Sequence, residues 1–132
     1  MATYGLIEYE SASAEVRAVY DDIRATRRTE YINNFWKAIA HDPALLRRTW
    51  EQVKAVTAPG ALDALTKELI YVAVSVTNGC AYCTASHSTA ARNKGMTPEM
   101  FAELMAVVGC ANQTNRLATG YQVEIDDCFR PA

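Results

Sequence analysis

The sequence predicts an all-α protein, a single-domain bundle of about six helices over residues 1–132. Three observations lead there. Apolar residues recur at spacings of three and four in segment after segment. The joints between segments are helix start and stop signals, and no pair of alternating segments is joined by a hairpin turn. Half of the residues are apolar and 21% are charged, which is the make-up of a globular chain.

The elements follow in order. Residues 1–10 have no clear period and read as a loose arm. Ser13 then caps a helix whose face is Val16, Val19, Tyr20 and Ile23. After a polar connection a second face follows in Ile32, Phe35, Trp36 and Ile39. Asp42-Pro43 opens the next helix, because Asp42 can accept from free N–H groups and Pro43 has no N–H to leave unpaired. Leu46, Trp50 and Val53 form its apolar side, and Pro59-Gly60 stops it. A fourth helix is expected from about Asp63 to Thr77. Leu65, Leu69, Val72 and Val76 share one stripe there, widened by Ile70, Ala73 and Val74 into what reads as the central core helix. Asn78-Gly79 ends it. A fifth helix runs from about Cys80 to Lys94, where Gly95 stops it. Thr97-Pro98-Glu99 starts a sixth, with Phe101, Leu104, Met105 and Val108, reaching towards Leu117 and Tyr121 despite Gly109 and Gly120. The tail from Glu124 carries no clear signal.

Charge and hydropathy exclude whole classes of function. Thirteen basic against fifteen acidic side chains leave a net charge of −2, so nothing suggests a backbone-gripping nucleic-acid binder or a membrane-surface protein. The longest apolar run, residues 69–74, is far short of the roughly 20 needed to span a bilayer. The first fifteen residues carry Glu8, Glu10 and Glu15 and no Lys or Arg, unlike a signal peptide. The expectation is a soluble, cytoplasmic protein.

The chain has four cysteines, and two of them lie close together in Cys80-Ala81-Tyr82-Cys83-Thr84-Ala85-Ser86-His87. A helix start at that point favours a thiolate, through free N–H groups and the helix dipole. The spacing lets the two sulfurs meet in a disulfide. His87 follows Cys83 by four residues on the same face and can take or hold a thiol proton. Glu68 lies in the apolar helix before the pair. Burial there is expected to raise its proton affinity, so that it exchanges protons near neutral pH. His41 reads as an ordinary residue at a helix C-terminus, and Cys110 as a small buried hydrophobe. Cys128 lies in the unassigned tail. Trp36 and Trp50 read as core or subunit interface. A zinc site would use Cys80, Cys83 and His87, with Cys110, Cys128 or His41 as fourth ligand.

Glu68, with Cys80-x-x-Cys83-x-x-x-His87 twelve residues later, resembles the alkylhydroperoxidase and carboxymuconolactone decarboxylase-like superfamily. So does Asn34-Phe35-Trp36-Lys37-Ala38-Ile39-Ala40-His41-Asp42-Pro43, and the likeness covers roughly residues 31–110. The resemblance implies an all-helical homo-oligomer, trimeric or hexameric, that reduces hydroperoxides with no metal, flavin or haem. It implies that Cys83 attacks the peroxide, that Cys80 protonates the leaving group and then closes the disulfide, and that Glu68 and His87 relay protons. An external thiol or dithiol would restore the pair. The characterised hydroperoxidase has a histidine directly before its second cysteine. Here Tyr82 stands there, able to donate a hydrogen bond or shape a pocket but not to titrate near neutral pH. Decarboxylation ranks low, because the lactone-decarboxylating branch lacks the cysteine pair. The rival reading from another class is a non-enzymatic helical oligomer, a scaffold or redox sensor.

Overall fold

A computed structural model describes residues 1–131. Among them are six α-helices, two short 3-10 turns and no strand, so the chain is all-α as its periodicity predicts. It packs as two compact units, residues up to Ala58 and residues from Pro59 on.

The first unit is built by α1 (Ala14–Arg27), α2 (Asn34–Ile39) and α3 (Pro43–Thr57). The Ser13 hydroxyl accepts from the Val16 N–H at 3.3 Å, and Asp42 accepts from the Leu45 N–H at 3.0 Å. Val16, Val19, Tyr20 and Ile23 are all buried, as their spacing requires. Trp36 and Trp50 meet edge to face, 5.5 Å between ring centres, and Leu46 is fully enclosed. The Trp50 indole donates to Asp22 at 2.6 Å, and Lys54 reaches the same oxygen at 2.7 Å. The Lys54 and Trp50 hydrogen bonds hold the Asp22 carboxyl below its usual range.

The N-terminal residues correct one expectation. They are not loose. The Ile7 N–H donates to the Lys37 carbonyl, the Tyr20 hydroxyl donates to the Ile7 carbonyl, and Lys37 pairs with Glu8. Ile7 and Tyr9 pack on the core. A segment tied by partners far along the chain needs no period of its own.

The second unit has α4 (Ala64–Thr77), α5 (Ala81–Asn93) and α6 (Pro98–Gly120), with α4 packed on both of the others. Asp63 and Thr97 cap α4 and α6 through the N–H groups of Thr66 and Met100. Gly79, at φ 71°, makes the left-handed turn between α4 and α5. α6 runs straight through Gly109. On α4 the broad core stripe is narrower than expected: Val72 is buried, but Ile70 and Val74 are about half exposed. The buried residues of α4 are Glu68, Val72 and Ser75. Residues 121–131 are exposed throughout. Among the described residues no helix is long and apolar enough to cross a membrane.

Candidate functional site

Cys80 is the N-cap of α5, and its sulfur accepts from the Cys83 N–H at 3.2 Å. The two Cα atoms are 5.4 Å apart and the sulfurs are joined as a disulfide. This geometry follows from the local sequence. The left-handed Gly79 turns the chain out of α4, and Cys80 takes an extended conformation (φ −84°, ψ 92°) that starts the next helix. Cys83 then stands in the first turn, where amide N–H groups and the dipole favour a negative sulfur.

His87 lies one turn further along α5, on the face that Cys83 starts. Its Nδ1 is 2.7 Å from Glu68 Oε2, and Lys94 Nζ is 3.1 Å from Glu68 Oε1. The Tyr71 ring stacks on the imidazole at 3.8 Å between centres and 14° between planes. Glu68 and Tyr71 are three residues apart on α4, so both face α5. Glu68 is buried, 7% exposed.

The proton affinity of Glu68 departs from the sequence expectation. Burial alone raises it, but hydrogen bonds from His87 and Lys94, with their charges, outweigh burial and hold the carboxyl below its usual value. Glu68 is therefore ionised at neutral pH and only accepts hydrogen bonds. Nδ1 of His87 must carry the hydrogen between them, which puts the lone pair of a neutral ring on Nε2. In this arrangement Glu68 fixes the tautomer of the imidazole.

The remaining candidates fall elsewhere. Tyr82 is on the first turn of α5, 45% exposed. Cys110 is exposed on α6, not buried; Cys128 is exposed too. His41 is exposed just beyond α2. For the zinc reading, Cys80 and Cys83 are bonded to each other, and among the described residues no three His, Cys, Asp or Glu are grouped so as to hold a metal ion. Sequence reasoning missed Tyr71 and Lys94. Lys94 could have been found, since it falls two turns after His87 on the stripe that Cys80, Cys83 and His87 define. A cavity of about 770 Å³ lies along another flank of α5, against Ala81, Thr84, Ala85, Ser88, Met96 and Phe101. Ser88 is buried there, and its hydroxyl has no partner among the described residues.

Residues 43–123 match the carboxymuconolactone decarboxylase family. An uncharacterized protein of Cupriavidus necator is 37% identical over 82 residues, 62% of this chain and 73% of that one. Uncharacterized protein 4 in the cox locus of Paracoccus denitrificans is 44% identical over 54 residues, 41% of this chain and 49% of that one. The crystal structure of the alkylhydroperoxidase AhpD core from Rhodospirillum rubrum superposes with a TM-score of 0.93 at 55% identity. That match covers 98% of this chain and 97% of the other. The fold is AhpD-like, and a CxxC pair beside a buried Glu68–His87 contact is consistent with thiol redox chemistry served by a proton relay.

Proposed function

The chain belongs to the carboxymuconolactone decarboxylase family, and from that premise we propose that it is a thiol–disulfide oxidoreductase that reduces hydroperoxides through Cys80 and Cys83. The observation that carries this is the contact of Glu68 Oε2 with His87 Nδ1, at 2.7 Å, one helical turn from a cysteine pair at a helix start. It is the orienter–base arrangement that activates a nucleophile.

In the reduced protein His87 Nε2 takes the proton of Cys83. The thiolate attacks one peroxide oxygen; the S–O bond forms, the O–O bond breaks, and the alkoxide leaves as the alcohol with a proton from Cys80 or the imidazolium. The sulfenic acid on Cys83 then condenses with Cys80, releasing water and closing the disulfide. Two thiol hydrogens thus reduce one hydroperoxide to alcohol and water. An external thiol or dithiol attacks the disulfide and resets the pair. Tyr82 flanks this turn as a hydrogen-bonding residue.

The working form is a homo-oligomer, a trimer or hexamer, in the cytoplasm, with no nucleic-acid or membrane partner. Support for the assembly comes from Ile70, Val74, Val107 and Leu117, each about half exposed or more, and from Tyr121, Val123, Ile125 and Phe129 in the tail. The test is mass spectrometry of the anaerobically reduced protein before and after one equivalent of an alkyl hydroperoxide. Loss of two hydrogens on the peptide holding Cys80 and Cys83, together with no turnover in Cys83→Ser, is expected. Unreacted peroxide would leave the scaffold reading in its place.

A further inference from the structure

The charge of Glu68 is divided between two partners. One oxygen faces His87 Nδ1 at 2.7 Å and the other faces Lys94 Nζ at 3.1 Å, while the carboxylate side chain is 9% exposed. The chemistry proposed above uses the cysteines, the imidazole and the carboxylate, and assigns Lys94 nothing. We propose that Lys94 is a positioning residue of this site: by binding the far oxygen of Glu68 it weakens the carboxylate's stabilisation of the charged imidazolium, which leaves His87 able to give up again, at Nε2, the proton it takes there. The use of this device rests on the thiol-oxidoreductase reading; its measurement does not.

The effect is electrostatic. A buried carboxylate with imidazolium as its one partner makes a tight ion pair, and a proton held in such a pair is hard to release. An ammonium on the opposite oxygen cancels part of the negative potential at the ring. It is also a like charge to the imidazolium. Among the described residues, the other groups near the pair are neutral or engaged elsewhere. On α4, Tyr71 presents a neutral ring face to the imidazole, and Lys67, the neighbour of Glu68, has its Nζ beside Gly60. On α5, Cys80 and Cys83 are bonded to each other, and Arg92 donates to the Thr89 hydroxyl at 2.8 Å. α6 brings Asn112 to Thr77, and its Glu99 is engaged at its own helix start with Thr97. His87 and Lys94 are the charges that act on Glu68.

The test is an NMR titration of the His87 ring in the disulfide form, where Cys80 and Cys83 do not titrate. The chain has two histidines, and His87→Gln assigns the resonance. Wild type, Lys94→Met and Lys94→Arg are compared, with Lys94→Gln as a second neutral variant should methionine disturb the helix end. In the neutral variants the titration midpoint moves to higher pH. At the wild-type midpoint, where half of the rings are protonated, roughly three quarters or more are protonated in the variant. Lys94→Arg returns the curve to that of the wild type. A midpoint that stays put or falls in both neutral variants overturns the proposal, and does so even if peroxide turnover drops, since that drop would then be structural. A wild type that ignores peroxide would sink the functional reading and leave this titration to be judged by itself.

Discussion

Up to Ala58 the buried residues are Ala12, Ala40 and the larger Val16, Val19, Tyr20, Ile23, Ile32, Trp36, Leu46 and Trp50, apolar side chains closing on one another in a single cluster. From Pro59 on, the buried apolar residues are Val72, Ala91, Met96 and Val108, and beside them lie a carboxylate and two hydroxyls, Glu68, Ser75 and Ser88. The first region carries no reactive sulfur. The second carries the disulfide and the charged pair, and leaves Ile70 and Val74 half exposed. Apolar burial is the main favourable term in folding, and buried polar groups cost free energy unless partnered. The region that does chemistry has given up packing for polar contacts, and the region without chemistry supplies the apolar core.

The comparison breaks if the two regions respond alike to substitution. The largest effect belongs to the first core: Trp50→Ala removes a ring that packs on Trp36 and donates to Asp22, and is expected to cost about 3–5 kcal/mol. Urea unfolding measures it. Next is Glu68→Gln, which keeps volume but removes the charge that His87 and Lys94 share, costing about 1–3 kcal/mol. Here pH sharpens the contrast. The folded Glu68 carboxyl is held below its ordinary 4.5, so its contribution is complete above that value. It is lost as pH falls through the lower folded value, because the unfolded chain takes up the proton first. Unfolding curves of Glu68→Gln against acid pH should show a shallower loss.

Smaller still is Tyr20→Phe, which removes the hydrogen bond to the Ile7 carbonyl and costs about 1 kcal/mol. Burial pushes the Tyr20 phenol up to about 12 from 10.0. Wild-type stability should therefore hold up to about that lower value and decline as pH rises towards the upper one, and Tyr20→Phe should lose this alkaline decline. The smallest effect is Ser88→Ala. A buried hydroxyl without a partner contributes nothing by staying, so thermal unfolding should show no change or a gain of about 0.5 kcal/mol. A clear loss would mean that the second region depends on Ser88 in a way its contacts do not display.

The sequence displays local physics well. Val16, Val19, Tyr20 and Ile23 are buried as one face, and the caps at Ser13, Asp42 and Thr97 accept the expected N–H groups. Cys80, Cys83 and His87 share one face of α5 as their spacing requires. What sequence spacing hides is any partner brought in by folding. The N-terminal residues are held by Lys37 and Tyr20, and no pattern within them announces it. The direction of the Glu68 shift is hidden for the same reason. Burial can be guessed from neighbouring Leu65 and Leu69, and the stripe of α5 points to Lys94, but the pairing of that ammonium with a carboxylate 26 positions earlier exists only once the two helices pack.

Cys80 begins α5 with its own sulfur, accepting the Cys83 N–H as a serine or aspartate would. Electron transfer and helix architecture therefore share one atom. Whenever the pair is reduced, any negative charge gathered on that sulfur strengthens the grip on the amide beneath it, and the helix start in turn steadies the charge. Swapping in a conventional capping residue would preserve the turn and silence the electrochemistry, so this position tolerates no ordinary improvement in stability.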